Sequence, residues 1–295
     1  MDAVILYVDM DDSNWRLEHD KYCAYNCHTI RFRDWGFLKY VMRGIDTYMP
    51  FIDRIHLVVM MDSQVPEWVN RDKVNIVYHE DIIPKNLLPL FNSASIEMFI
   101  HKIPGLSEEF IYFNDDFFPT NSLDYSDFFD GNGNIYNEMK DTGLTDGYYL
   151  RSTIFSTQLA AAISGKEIEE NYWMVPQHTM APMIRSSQEY VFKQLENILI
   201  ASVSKFRTSQ NTHQYLFTNY LYFSDKVIER GLPFKMLFTV STTIDEVETT
   251  FFDENIKTLC LNDWGDFEGM TYDESRDALS VIMEKKYPNK SQYEK

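Results

Sequence analysis

Two adjacent carboxylates, Asp115 and Asp116, follow Asn114 at the end of the aromatic and β-branched run Phe110 to Phe113. Such a run reads as a buried strand. Paired acids where a strand ends supply the oxygen donors that Mg²⁺ or Mn²⁺ requires, and they leave coordination positions open for phosphate. A plain polar turn is the alternative, because Asn and Asp are also turn formers. A second acidic set, Asp9, Asp11 and Asp12, follows the apolar run Ala3 to Val8, and two further runs end in His79-Glu80-Asp81 and Asn262-Asp263.

The elements that must position these groups are strands at Ala3–Val8, Arg54–Met60, Val74–Tyr78, Phe110–Phe113, Phe234–Val240 and Ile256–Leu261. Helical spacing runs from Asp34, a candidate cap, through Leu38, Val41, Met42, Ile45 and Met49 to Pro50, and recurs over Ser93–His101, Gln188–Val203 and Asn211–Glu229. A capping box at Thr271-Tyr-Asp-Glu274 opens a last helix that runs to Pro288. The order β-α-β-β-α-β predicts an α/β fold, a largely parallel open sheet flanked by helices in the Rossmann-like or GT-A-like manner, with a mainly helical second half. In such sheets ligands sit at the carboxyl ends of the strands, so the acidic strand ends share one rim. Between Ser122 and Tyr172 the pattern weakens, and Asp130-Gly-Asn-Gly-Asn134 is a turn signal. The expected division is an α/β half over 1–120, a helical and strand half over 121–288 that completes the same domain, and a disordered tail over 289–295.

A chain of 295 residues with 44% hydrophobic content can build a large core. Its formal charge of −18 argues against nucleic-acid binding, since phosphate backbones are held mainly by Lys and Arg. An anionic substrate therefore needs a local device, a metal ion or a few convergent arginines. Cys23, Cys27 and Cys260 are an odd set with no zinc-site spacing, and free thiols are expected. Met1 to Val8 carries no basic region or cleavage site, and no apolar run reaches the length of a membrane span. The P-loop, dinucleotide, zincin and nucleophile-elbow signatures are all absent. An acidic rim with scattered histidines and arginines remains, which suits metal-assisted chemistry on a phosphate-bearing substrate.

The motif order resembles the Stealth family, bacterial capsular polysaccharide phosphotransferases and the lysosomal-enzyme N-acetylglucosamine-1-phosphotransferase. Arg31-Phe-Arg-Asp34, Leu38 to Ile45, Gln64 to Trp68, His79 to Ile82, Leu88 to Ser93, Ile96-Glu97 and Ile103 to Leu106 through Asn114-Asp-Asp116 resemble that family's second region. Val4 to Asp12 resembles its first, Pro176 to Arg185 with Lys205-Phe-Arg207 its third, and Leu259 to Asp263 its fourth.

The resemblance implies transfer of a hexose 1-phosphate from a nucleotide-sugar donor, typically a UDP-N-acetylhexosamine, to a hydroxyl of a glycan acceptor, with UMP released. It makes Asp9, Asp12, Asp116, His178 and Arg207 the candidate catalytic residues, with His178 as base for the acceptor hydroxyl and Arg207 as a phosphate clamp. Asp115 and Asp116 are the candidate ligands for Mg²⁺ or Mn²⁺, and Arg43, Asn92, Ser93, Asn114 and Asn262 the candidate substrate contacts. The setting it implies is cytoplasmic, peripheral at the inner face of the membrane beside capsule-assembly machinery. The sequence departs from the family at Met10-Asp11, where Gly-Ser is usual, at Phe37, where a glutamate is usual, and at Pro182, displaced from its place after the histidine. Two competing readings are a metal-dependent glycosyltransferase that releases UDP and a carbohydrate-binding protein without catalysis.

Overall fold

The computed structural model describes residues 1–23, 29–140 and 147–295. In chain order its elements are β1 (Asp2–Leu6), α1 (Ser13–Asp20), α2 (Phe37–Tyr48), β2 (Arg54–Val59), β3 (Val74–Tyr78), α3 (His79–Ile82), α4 (Ser93–Glu97), β4 (Glu109–Asn114), β5 (Phe117–Pro119), β6 (Ile135–Asn137) and β7 (Met139–Lys140). They continue with α5 (Gly147–Ile163), β8 (Val175–Pro176), β9 (Ala181–Ile184), α6 (Arg185–Ser202), α7 (Tyr215–Phe223), β10 (Val227–Glu229), β11 (Phe234–Phe238), α8 (Ile244–Phe251), β12 (Thr258–Asn262) and α9 (Tyr272–Lys286).

The main sheet has the order β3-β2-β1-β4-β9, and only its edge strand β9 is antiparallel. The fold is thus the expected α/β class with a mostly parallel sheet. Strands β1 and β4 are buried along their apolar length because both faces of the sheet are covered. One core cluster joins α2, α8 and α9 to one face, and the other joins α5, α6 and α7 to the opposite face. Parallel register places Leu6 of β1 opposite Val58 of β2 and Asn114 of β4. All three chain exits therefore point to one end of the sheet.

A second sheet, β11-β12-β5, adjoins the first. Strand β5 begins two residues after β4 ends, so Asp115 and Asp116 are the turn by which the chain passes from one sheet to the other. Helix α2 packs on β5 at Gly44, where a Cβ would lie only 3.0 Å from Pro119 Cδ and 3.1 Å from the Pro119 carbonyl. Glycine permits that approach, and the strand leaving Asp116 is held in place by it.

Several elements differ from expectation. The first long helix starts after Gly36, which sits at φ +73°, and Asp34 is not its cap. Helix α1 was unforeseen because its residues are mostly polar. Helix α5 was unforeseen because four of its six buried positions, Ser152, Thr153, Ser156 and Thr157, are polar, and with Ala160 and Ala161 they give no long apolar stripe. Three of the four hydroxyls bond locally, Ser152 donating to the Tyr149 carbonyl at 2.9 Å, Ser156 to that of Ser152 at 2.7 Å and Thr157 to that of Thr153 at 2.9 Å, while Thr153 Oγ1 is buried without a partner. The pattern over Asn211–Glu229 is a shorter helix, α7, followed by strand β10. Cys260 is a buried free thiol as expected, but Cys23 is disulfide-bonded, since an odd count does not exclude one bridge; Cys27 lies outside the described residues.

The tail 289–295 is packed, against the expectation of disorder. Glu294 accepts from Arg43 Nε at 2.8 Å and from Nη2 at 3.0 Å, Arg43 Nη1 donates to Glu284 and to the Tyr287 carbonyl, and Tyr293 is buried. Arg43 is thereby corrected from a substrate contact to a clamp on the tail, because every nitrogen of its guanidinium is engaged there. Burial alone would raise the Glu294 carboxyl, but the Arg43 hydrogen bonds and charge hold it below its ordinary value. Its contribution is present above about pH 4.5 and is lost as pH falls below that. Both side chains are buried, so Glu294→Ala should lower the urea unfolding free energy by about 3 kcal/mol at neutral pH, with the difference shrinking in acid. An unchanged unfolding midpoint would return Arg43 to the pool of free cations.

Candidate active site

Asp115 and Asp116 are half-buried at the turn between the sheets. The Leu261 N–H donates to the Asp116 carbonyl at 3.1 Å, and the Cys260 thiol approaches Asp116 Oδ2 at 3.7 Å. Oδ1 of Asp116 is buried and has no hydrogen-bond partner. Burial pushes the Asp116 carboxyl up to about 7, aided by the charge of Asp263. Burial, then the charges of Asp116 and Asp34, raises Asp115 well above the ordinary range. Neither carboxylate has a salt-bridge partner among the described residues. The turn is short of positive charge.

Tyr7, just past β1, donates its hydroxyl to Asp34 Oδ2 at 2.9 Å, and Gly36 N–H donates to Asp34 Oδ1 at 2.8 Å. Asp9 is pinned through its backbone: its N–H donates to Gln64 Oε1 and its carbonyl accepts from Gln64 Nε2, both at 2.8 Å. Burial raises both Asp9 and Asp34. With Ser63, Gln64 and Trp68 these groups line a small polar cleft beside the turn. Asp12 differs from the others in that its Oδ1 accepts from the Asn14 and Trp15 N–H groups, so it caps α1. Its Oδ2 is buried without a partner.

On the other side of the turn, Arg207 Nη2 donates to Ser93 Oγ at 2.7 Å and Nη1 to the Tyr148 hydroxyl at 3.3 Å. Arg207 remains open to solvent, and its charge lowers Asp116 and Glu97 and disfavours protonation of His178 and His213. Beneath it, the Tyr112 hydroxyl bridges buried Glu97 Oε1 at 3.0 Å and Asn114 Oδ1 at 2.8 Å, which fixes Asn114. Asn92 is fully buried, so it is corrected from a substrate contact to a scaffold residue. Its amide nitrogen bonds Ser95 Oγ and Asn211 Oδ1, both at 3.0 Å, and this ties α4 to the segment carrying Arg207.

His178 lies edge-on to Phe117, the residue after Asp116, with ring centroids 5.2 Å apart. Its Nδ1 meets the Tyr215 hydroxyl at 2.9 Å, and the Tyr149 hydroxyl donates to that of Tyr215 at 2.7 Å. Burial, then the Arg207 charge, pulls His178 down to about 4, so its ring is neutral near pH 7. Asn262 ends β12 two residues beyond Cys260. One rim therefore carries Asp9, Asn114, Asp115, Asp116, Ser93, His178, Arg207 and Asn262.

Sequence reasoning assigned no part in this rim to Tyr7, Asp34, Glu97, Tyr149, Tyr215, His213 or Cys260. Tyr215 and Cys260 lie in apolar runs, Tyr215-Leu-Phe and Leu259-Cys-Leu, where nothing in the residue types sets them apart from core. Asp34 read as a helix cap. Its place in Arg31-Phe-Arg-Asp34 was the available signal.

Residues 31–137 match Stealth protein CR2, conserved region 2. A capsular polysaccharide phosphotransferase of Actinobacillus pleuropneumoniae, cps1A, is 31% identical over 247 residues, covering 78% of this chain and 67% of its own length. The chain belongs to the Stealth family. The capsular polysaccharide phosphotransferase WcwK of Streptococcus pneumoniae is 27% identical and aligns over 100% of this chain and 98% of its own length. Membership makes the chain an enzyme of the phosphotransferase type. A crystal structure of the galactosyltransferase LgtC with donor and acceptor sugar analogues is similar over 97% of this chain and 96% of that one, at TM-score 0.45 and 10% identity.

The Stealth rim holds His178 by one hydroxyl. Tyr215→Phe deletes it while keeping the packing, and should lower kcat about tenfold, the worth of one hydrogen bond, with the melting temperature little changed. Unaltered kcat would remove Tyr215 from the orientation of His178.

Proposed function

We propose that this Stealth enzyme moves a sugar 1-phosphate from a UDP-N-acetylhexosamine to a hydroxyl of a capsular or surface glycan and releases UMP. The observation that carries the reading is the gathering of Arg207 and neutral His178 on one flank of the paired carboxylates Asp115 and Asp116, a cation and an imidazole beside a turn that itself lacks positive charge. The acceptor oxygen attacks the sugar-side phosphorus, a new P–O bond forms, and the bond from that phosphorus to the bridging oxygen breaks. UMP departs with the bridging oxygen. The hydroxyl proton passes to His178. A weak base suffices because in a loose transition state that proton becomes acidic only as the new bond forms.

Arg207 holds phosphate oxygens, with Ser93 fixing its guanidinium, and Asn114 and Asn262 flank the substrate. Asp9 and Asp34 face the donor from the end of β1. Asp115 and Asp116 fit a Mg²⁺ or Mn²⁺ ion, since the orphaned Asp116 Oδ1 and two raised carboxyls call for a cation. No set of three or more His, Cys, Asp or Glu side chains is assembled for a metal among the described residues, so donor oxygens and water would have to complete its shell. When bound, the ion would neutralise diphosphate charge. No helix among the described residues is long and apolar enough to cross a membrane; the setting this reading implies is the cytoplasmic face of the membrane.

Chromatography of the nucleotide released from UDP-N-acetylglucosamine in the presence of Mn²⁺ decides between bond types. UMP is expected, and UDP would establish glycosyl transfer in its place. Asp116→Asn should abolish release, by at least about 10²-fold, with circular dichroism unchanged, and EDTA should do the same reversibly. Persistent turnover in both would exclude the carboxylates and the ion from the reaction.

A further inference from the structure

Trp264 is 66% exposed, although an indole of that size is ordinarily buried. It is not a loose side chain. The backbone beneath it is fixed, the Trp264 main-chain N–H donating to Thr239 Oγ1 at 3.1 Å and that of Gly265 to Asp263 Oδ1 at 3.0 Å, and the ring itself meets Phe238 at 5.1 Å with a 64° tilt. Gly265 has φ +147°, and a Cβ there would fall 2.8 Å from Val240 Cγ1, so the turn that presents the indole admits only glycine. Val240 is itself 47% exposed, and it extends the apolar face.

The platform continues the active-site rim. β12 touches Asp116 through Cys260, and Trp264 is four residues further, at most about 15 Å along the chain. That is the reach of a short oligosaccharide. The surroundings select among occupants. Asp266 and Glu268 are exposed beside it and Asp263 lies between it and the site; Arg33 pairs with Asp263 at 2.7 Å and with Asp266 at 2.6 Å, and with Glu268 unneutralised among the described residues and −18 on the chain overall the surface opposes an anionic bilayer or the donor diphosphate. A neutral ring with an apolar C–H face and many hydroxyl donors suits both the indole and the carboxylates.

We propose that Trp264, with Phe238 and Val240, is a stacking subsite for a neutral pyranose ring of the acceptor glycan. The proposal rests on the transferase reading above, and it adds where the acceptor lies and by which face it is held.

The test is an array of hexose- and N-acetylhexosamine-terminated oligosaccharides probed with wild-type enzyme, Trp264→Ala, Trp264→Phe and, as a distant exposed control, Phe252→Ala. Sugars that bind the wild type should lose about tenfold in affinity with Trp264→Ala, much less with Trp264→Phe and none with Phe252→Ala. Calorimetry should show the same affinity for UDP-N-acetylglucosamine in all four. Equal sugar binding by Trp264→Ala, or no sugar bound by the wild type, overturns the proposal. So does a Trp264→Ala effect confined to self-association or to vesicle binding. Failure of the transferase reading looks different: UDP, or no nucleotide, is released while Trp264-dependent sugar binding persists.

Discussion

The two-residue passage from β4 to β5 is the constraint on which the rest of the structure depends. A parallel strand must deliver its chain to the end of the sheet, and here the chain turns at once into an antiparallel partner of β12. No slack exists for the side chains at the turn. Asp115 and Asp116 are thus presented at a seam between two sheets, where burial opposes their ionisation and where β12 fixes the backbone by the Leu261–Asp116 hydrogen bond. Carboxylates that are costly to ionise alone are suited to a cation and a polyanionic substrate that arrive together.

The two flanks of the seam divide the work by charge. On the β1 side the groups are acids and acceptors, Asp9 and Asp34 with Tyr7 and Gln64. On the other side they are Arg207 and the neutral His178, backed by a buried tyrosine pair. Glu97, buried under Arg207, keeps that cation from being an isolated charge and through Tyr112 also sets Asn114. Separate hydroxyls orient the two groups, Ser93 and Tyr148 the cation and Tyr112 the strand end.

Much of the first half was legible because buried parallel strands leave continuous apolar runs. Val74–Tyr78 has the same bounds in sequence and structure, and the capping box at Thr271 opens α9 as read. Helix α5 was illegible because its buried face is mostly Ser and Thr with two alanines, and a hydropathy pattern does not show such a face as buried. The candidate site was legible at strand ends, where polarity changes abruptly, and at motif positions such as His178 and Arg207. It was illegible where role depends on a distant partner. Arg43 looks like any helix arginine until Glu294 is found against it, Asn92 looks like a substrate contact until its burial is known, and Asp12 serves the helix that follows it.

The seam also has a temporal consequence. Asp9 and Asp116 lie in the first half of the chain, while the strand that pins Asp116 comes from Thr258–Asn262, roughly 145 residues later. A nascent chain that has exposed its acidic strand ends on leaving the ribosome cannot lock them until β12 emerges. Competence thus arrives late in synthesis, and the free carboxylates of the partial chain must be tolerated, or shielded by whatever chaperones it, in the interval.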